Sequence, residues 1–415
     1  MFDYVVKEIK SFLKTRKQMP SIIDEIAQSV SSGKVAFYPC SRYSNAIIEK
    51  IQKQKPQLAK KILAIFDPND KAISGAGIPV YGEDALFEKG SDFDVIVIAA
   101  NNYYENCVQK LRDVYGFGGK IIPLSAFETT LPNGKNDEII QNITKVYNLL
   151  KDYKSKITYL LTWLSRIHND ASLISIFRQD NTHLTTYNNV LEYKNYKIYK
   201  LTKECAEELV SELYVTDKIY PKEGDTVFDI GGYKGDTAIY FADKVGPNGK
   251  VYVFEPTWAN FNDLTYNVNV NNMQDIILPI QKGMSDKAGY MKMCSLDSGV
   301  PWAFFDELKG AEQVVISTID DAFKNLKLSR LDYIKMDVEG FELDVLRGGE
   351  KTIKDMKPQM VIPLYHNLID FIDIPLWIDK LGGYDLYIRS KIDGPWGINL
   401  YCTPLITNGK EKYGN

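Results

Sequence analysis

Asp337 and Glu339 stand two positions apart in the stretch YIKMDVEGFE, residues 333–342, where an apolar run ends. Carboxylates at such a place are costly to bury without partners, so they either cap the next helix or hold something. Further on, the run PQMVIPLYH ends in His366, one of only three histidines in the chain. If both runs are neighbouring strands of an open α/β sheet, their carboxyl ends lie side by side at the edge where such sheets bind ligands. Asp337, Glu339 and His366 are then the catalytic candidates, since carboxylates with a neutral imidazole can remove a proton from a hydroxyl. The same three make a ligand set for Mg, Mn or non-haem Fe(II), which lowers the pKa of a bound hydroxyl and orients it. The competing reading places Glu339 and Glu342 in the first turn of the helix FELDVLRGG, facing its dipole, and gives His366 a buried structural role. Lys335 shares the face of Asp337 under a period of two and either neutralises it or touches substrate. Tyr365 and Asn367 flank His366 and are candidate substrate contacts or packing residues.

A second chemical feature lies upstream, in FDIGGYKGDTAIYF at 228–241. A strand ends at Asp229, and Gly231, Gly232 and Gly235 open a helix, as a tight turn and close backbone approach to a ligand require. The dinucleotide pattern is G-x-G-x-x-G, which sets a pyrophosphate on the helix N-terminus. Here the spacing is D-x-G-G-x-x-G. An acid before the turn repels phosphate but can pair with an ammonium group, which favours a zwitterionic amino-acid ligand such as S-adenosylmethionine (SAM). The next strand, VYVFEP, ends in Glu255 about twenty residues past the glycines, where an acid can accept ribose hydroxyls. Glu255 as a helix-capping acid is the plainer alternative.

The elements that must position these residues alternate. KVAFYP, ILAIFD, DFDVIVIAA and KIIPLS read as strands with helices between them, which predicts a parallel, Rossmann-like sheet over 21–130 behind an N-terminal helix at 1–20. Residues 131–204 read as a helical connector and hairpin. A second alternating unit, 205–415, has strands TVFDIGG, KVYVFEP, IILPIQKG, LDYIKMDVEG and PQMVIPLYH, with YDLYIR and GINLYC as an antiparallel edge pair. The fold class is therefore α/β, two doubly wound Rossmann-like domains in tandem.

The second unit resembles the FkbM-type SAM-dependent methyltransferases. VFDIGGYKGDTAIYFA, VYVFEPTWANFNDL, STIDDAF, LDYIKMDVEGFELDVLRGG and VIPLYHNLIDFIDIPLWI fall in that family's order, over about 205–405. The family usually carries a single glycine–alanine pair after the first strand, where this chain has Gly231–Gly232. The resemblance implies a class I methyltransferase fold and O-methylation of a sugar, glycan or natural product. By matching positions it makes Asp229, Gly231 and Gly235 the SAM turn, Glu255 the ribose acid, and Ser285 and Asp286 the segment that brackets adenine. Read from the residues alone, Ser285–Asp286 equally forms a surface Asx-turn. The acceptor expected is a nucleotide-activated sugar or a surface glycan, with Trp302 either covering the sugar or filling a core.

The N-terminal unit is more ambiguous. FYPCSRYSNAII has no glycine where a phosphate turn would sit, although Ser41 and Ser44 could donate to a phosphate and Asp67 stands where a ribose acid would. It is similar to Rossmann-like domains of nucleotide-sugar enzymes, which leaves open a tethering role or a structural one in a homo-oligomer. His168 and His183 fall in the connector and read as bland.

Composition narrows the classes. The 415 residues are 45% hydrophobic and 25% charged, with a net charge of −4, so no electrostatic footprint for nucleic acid appears. Five cysteines far apart, without a C-x-x-C pair, suit a reducing cytoplasm rather than a disulfide scaffold or zinc ribbon. The N-terminus lacks the pattern of a signal peptide, and no run reaches the ~18 apolar residues of a membrane span. An NAD(P)-dependent sugar oxidoreductase is the alternative enzyme, disfavoured by the missing G-x-G-x-x-G. A non-catalytic SAM or nucleotide-sugar binding module is the other.

Overall fold

The computed structural model describes residues 1–18, 22–30, 33–38, 42–67, 77–98, 104–123, 136–168, 173, 186–187, 190–201, 203–294, 304–305, 312–391 and 397–405. Ser41, His183 and Trp302 lie outside them. The chain divides into two units. One comprises Leu13–Gly134 with Lys292–Glu312, and the other Met1–Phe12, Lys135–Met291 and Gln313–Asn415.

In the first unit, β1 (Val35–Tyr38), β2 (Ile62–Asp67), β3 (Val80–Gly82), β4 (Val95–Ile98) and β5 (Lys120–Pro123) form one parallel sheet, ordered β3-β2-β1-β4-β5. Successive side chains leave a strand on opposite faces. Val35, Phe37, Val95 and Val97 accordingly enter one apolar cluster, while Ala36, Tyr38, Ile96 and Ile98 enter another. A sheet covered on both faces needs uninterrupted apolar strands such as Val-Ile-Val-Ile. Helix α1 (Phe2–Gln18) has its first residues in the other unit, and the labelled helices of this one are α2 (Ile22–Ser29), α3 (Arg42–Gln54) and α4 (Tyr104–Gln109). Ile47, Ile48 and Ile51 of α3 pack into the first cluster. Ser44, a candidate phosphate donor in the sequence, is fully buried on that helix. Near the carboxyl ends of the strands, the Tyr38 hydroxyl donates to one oxygen of Glu83, and Lys110 Nζ reaches the other at 2.7 Å.

In the second unit the helices α5 (Asn136–Leu149) and α6 (Tyr153–His168) come first, followed by β6 (Thr186–Tyr187), β7 (Val190–Tyr193) and β8 (Tyr196–Tyr199), an antiparallel three-stranded sheet. Then come α7 (Lys203–Val210), β9 (Thr226–Ile230), α8 (Asp236–Val245), β10 (Lys250–Phe254), α9 (Trp258–Val270), β11 (Ile277–Ile280) and β12 (Gly283–Met284). Strand β13 (Gly289–Cys294) runs on into the residues that group with the first unit, where its Met293 and Cys294 pair antiparallel with β14 (Phe304–Phe305). The rest comprises β15 (Glu312–Ser317), α10 (Ile319–Asn325), β16 (Tyr333–Met336), α11 (Glu342–Arg347), α12 (Glu350–Met356), β17 (Gln359–Pro363), α13 (Asp370–Leu381), β18 (Tyr384–Ser390) and β19 (Ile398–Pro404).

The main sheet runs β11-β10-β9-β16-β17-β19-β18, with β19 antiparallel to both β17 and β18. Of the predicted edge pair only β18 lies at an edge, because β19 inserts beside β17; β11 forms the other edge. From β9 the chain goes to β10 on one side and later to β16 on the other, both parallel to it. This reversal opens a crevice at the carboxyl ends of β9 and β16. It is the class I methyltransferase fold.

Of residues 131–204, read from sequence as a connector and hairpin, those from Lys135 onward group with this second unit. The Tyr159 and Trp163 rings of α6 lie 6.4 and 6.5 Å from Phe371 of α13. Arg389 Nη1 of β18 donates to Ser155 Oγ at 2.7 Å. The backbone of β8 is closed by α9, whose Asn267 and Asn271 side chains accept from Tyr199 and Lys197 N–H at 2.9 Å each. Among the described residues no helix is long and apolar enough to cross a membrane. Because Trp163 is almost fully buried, Trp163→Ala should cost about 3–5 kcal/mol. A urea midpoint unchanged from wild type would show that α6 is not part of this unit's core.

Candidate active site

The glycine turn follows β9 directly. Gly231 and Gly232 N–H donate to Phe254 O at 2.9 and 3.0 Å, and Gly235 N–H to Gly232 O at 2.7 Å, so the turn is fastened to β10 before α8 begins. Gly231 has φ of +78°, and a Cβ there would lie 1.8 Å from the carbonyl oxygen of Asp337. No side chain fits that position. The turn of β9 therefore touches the backbone of the first residue beyond β16.

Beneath this contact sits Lys335, and its placement corrects the sequence expectation. Its side chain is 3% exposed, with Nζ donating to Gly231 O at 2.6 Å and lying 3.2 Å from Asp229 Oδ1. Its cation also lies 5.1 Å from the centroid of the Tyr214 ring. Burial opposes its charge, but Asp229, Asp337 and Asp236 hold the ammonium above the usual lysine range. Lys335 is thus spent inside the protein and is not a substrate contact. Asp229 is likewise sealed, its other oxygen accepting from Thr237 Oγ1 at 2.7 Å. The ammonium it meets belongs to the chain itself.

Glu255 follows β10 immediately. Its Oε1 accepts from Thr257 N–H at 3.1 Å and Thr257 Oγ1 at 2.6 Å, and its Oε2 from Tyr233 N–H at 3.1 Å. These bonds fix the carboxylate without using all its lone pairs. Ser285 is buried where β12 pairs with β15, and a Cβ on Gly348 would meet its carbonyl at 2.1 Å. Gly283 packs toward Pro256, which sets this segment beside the end of β10. Asp286 is the partly exposed member of the pair, with Oδ2 3.9 Å from Lys287.

On the other side of the crevice, Asp337, Glu339, Glu342 and His366 come together. Tyr214 and Tyr365 hydroxyls donate to Asp337 Oδ2 at 2.7 and 3.1 Å. His366 Nδ1 is 2.9 Å from Glu342 Oε1, while its Nε2 lies 3.2 Å from Glu339 Oε2 and 3.5 Å from Asp337 Oδ1. Although burial works against the charged ring, Glu342 and Glu339 hold the imidazolium well above the usual histidine range. The neutral imidazole expected from sequence is replaced by a ring clasped between carboxylates. Asp337 and Glu339 side chains keep 17% and 18% exposure, whereas His366 and Glu342 keep 2% and none. Only the first two reach the crevice.

Three local expectations change. Glu339 is not in a helical first turn. It sits at φ +56°, in the left-handed region that a side chain adopts at a cost, in the loop before α11. Glu342 opens α11, and its Oε1 accepts from Val338 and Gly340 N–H at 3.1 and 3.3 Å. Asn367 is turned to structure, donating to Asp370 Oδ2 at 2.9 Å and Gly340 O at 3.3 Å, so it is not placed as a substrate contact. The acid–imidazole group also widens: atoms of Asp337, Glu342 and His366 lie within 4.8 Å of one another, while Glu339 Oε2 of the predicted set stands 3.2 Å from His366 Nε2. His168 lies 3.5 Å from Glu8, away from this cluster's residues.

Two residues were not singled out by the sequence reading. Tyr214 reaches Asp337 from the segment after α7, held there by Tyr333 and Tyr401 hydroxyls bonding to the Tyr214 and Leu213 carbonyls. Glu208 of α7 lies within 3.4 Å of the Tyr214 hydroxyl. Neither belongs to a spacing pattern that would reveal it. Burial, with Asp337 next, pushes the Glu208 carboxyl up to about 8, and burial pushes Asp236 up to about 7. Asp337 and Glu339 thus reach the crevice, and Glu208, Asp229, Asp236 and Glu342 lie buried behind them against Lys335 and His366. Such a site suits a cation.

Comparison with known proteins agrees. Residues 229–386 match the methyltransferase FkbM domain. The chain is 27% identical to Methyltransferase 1 of Beauveria bassiana over 203 residues, 42% of this chain and 80% of that protein. It is 24% identical to the hexuronic acid methyltransferase AglP of Haloferax volcanii over 153 residues, 37% of this chain and 61% of that one. Among solved structures, a methyltransferase FkbM from Methylobacillus flagellatus KT superposes with a TM-score of 0.54 at 15% identity, covering 96% of this chain and 98% of that one. The second unit is a SAM-dependent methyltransferase domain.

Its electrostatics give a measurable consequence. SAM and S-adenosylhomocysteine differ in the sulfonium charge, and Asp236 and Glu208 gain their charge as pH rises through about 7 and 8. The preference for SAM over S-adenosylhomocysteine should therefore increase from pH 6 to pH 8.5 in calorimetric titrations. A flat ratio would remove these acids from cofactor recognition. Lys335→Met strands Asp229 in the interior and should cost about 3–5 kcal/mol. Asp229→Asn in the same chain should recover part of that loss, read from thermal midpoints.

Proposed function

We propose that this protein transfers a methyl group from SAM to a hydroxyl of a sugar, either nucleotide-activated or part of a glycan. The observation that carries the reading is the close approach of Gly231 to the Asp337 carbonyl, which brings the glycine turn of β9 against the acid-bearing loop that follows β16. The residues present fit the cofactor. Glu255 offers a fixed carboxylate to ribose hydroxyls, Gly231, Gly232 and Gly235 let the backbone approach closely, and the acidic walls favour a cation. Asp229 supports the turn through Lys335, and Ser285 and Asp286 lie along the adenine side. SAM supplies an electrophilic methyl carbon on a positively charged sulfur.

The acceptor hydroxyl is met by Asp337 and Glu339, the two acids that reach the crevice. Tyr214 and Tyr365 fasten Asp337 Oδ2, leaving Oδ1 to orient an incoming O–H. Glu339, beside His366, is placed to receive the proton as the new O–C bond forms. Tyr365 acts on the acceptor through Asp337, whose Oδ2 its hydroxyl holds. Negative walls disfavour a carboxylate nucleophile, so a hydroxyl is preferred even though one relative is a hexuronic acid methyltransferase. That relative, together with the polar crevice, supports a sugar acceptor. The FkbM domain match supports methyl transfer over hydride transfer by NAD(P).

The deciding experiment is a screen of nucleotide sugars and glycans with methyl-labelled SAM, scored by label transferred. Asp337→Asn and Glu339→Gln should lower turnover of the acceptor so found by about 100-fold or more, the scale of lost acid–base and orienting groups. Their SAM affinity should remain near wild type. Near-normal turnover in both variants would move the acceptor site elsewhere.

A further inference from the structure

We propose that Glu342 is the positioning residue for Glu339, holding it at the crevice by both its backbone and its carboxylate through one shared oxygen. The inference rests on the reading of Glu339 as the group that receives the acceptor proton, and it names what keeps that group in place. Glu342 is fully buried, so it acts only through its neighbours.

The shared oxygen is Oε1. It accepts from Val338 N–H at 3.1 Å and Gly340 N–H at 3.3 Å, the amides on either side of Glu339 in the chain. The same oxygen lies 2.9 Å from His366 Nδ1. The opposite nitrogen of that ring, Nε2, stands 3.2 Å from Glu339 Oε2. Glu339 is thus tied to one atom twice, through its flanking peptides and across the imidazole. Its loop needs such an anchor. Glu339 at φ +56° and Gly340 at +97° are both left-handed, and a residue with a side chain persists there only when its surroundings hold it. Glu342 is the first residue of α11, so the loop is fastened to a regular element. Burial opposes its charge, but His366 and the Val338 N–H keep the Glu342 carboxyl below its usual range. Bonds to an ionised oxygen are the stronger, charge-assisted kind. A proton acceptor displaced by about 1 Å can cost 100-fold in rate, which is what this double tie prevents.

The test begins with amide hydrogen exchange on the full chain, which needs no acceptor. In Glu342→Gln the Val338 and Gly340 amides should exchange about tenfold faster or more, the scale of a weakened charge-assisted bond. The reference is Val345, whose N–H donates to Phe341 O within α11. Unchanged exchange at both loop amides, or an equal rise at Val345, would overturn the tie. Turnover is then measured with methyl-labelled SAM and the acceptor found by the screen. The kcat of Glu342→Gln should fall about 10- to 100-fold, with SAM affinity near wild type. Made in a Glu339→Gln background, the same change should cost less than about threefold, because its effect runs through Glu339. Equal losses in both backgrounds would leave Glu342 a structural residue and sink the proposal. His366→Gln cuts the side-chain route alone, so the loop amides should stay protected and its kcat loss should likewise disappear in Glu339→Gln. That second cycle decides the matter if Glu342→Gln does not fold, and additive losses in it count against the proposal. Since exchange is read without an acceptor, failure of the tie and failure of the methyl-transfer reading show up in separate measurements.

Discussion

A single buried ammonium organises the crevice. Lys335 bonds to the Gly231 carbonyl, pairs with Asp229 and lies against the Tyr214 ring. It thereby ties the end of β9, the end of β16 and the segment before β9 into one piece. A lysine in an apolar interior is tolerable only when compensated, and compensation here fixes geometry as well as charge. The glycine turn cannot shift without losing that hydrogen bond, and Asp337 cannot retreat because its carbonyl already fills the space beside Gly231.

Around that cation, acids accumulate beyond what the protein itself neutralises. Glu208 and Asp236 are pushed up in pKa first by burial, with neighbouring acids adding to it. The acids have two centres. One lies along the glycine turn, and the other is formed by Asp337, Glu339 and Glu342 around His366. A methyl transfer needs both, since charge vanishes from sulfur as a proton leaves the acceptor.

The parallel sheets were readable because buried strands must be largely apolar, as Val95–Ile98 is throughout and Tyr333–Met336 is apart from Lys335. The glycine turn and Glu255 were readable because backbone approach leaves glycine little competition. The assignment of 135–204 was not, since helical periodicity says that a face is buried but not against which sheet; only the rings of Tyr159, Trp163 and Phe371 decide it. Lys335 misled because strand alternation gives its face but not its depth. Glu342 looked like a capping acid, which it partly is, through Val338 and Gly340. Tyr214 lay far from any motif, and its role depends on a tertiary approach to Asp337 that no spacing encodes.

The left-handed backbone of Glu339 has an engineering consequence. A non-glycine residue at φ +56° stores conformational free energy of about 1–2 kcal/mol, which glycine would release. A search for thermostable variants would therefore be drawn to this position, and each gain there would remove a carboxylate from the mouth of the crevice. Stability and turnover pull against each other at one residue, so hardening this protein has to begin elsewhere in the chain.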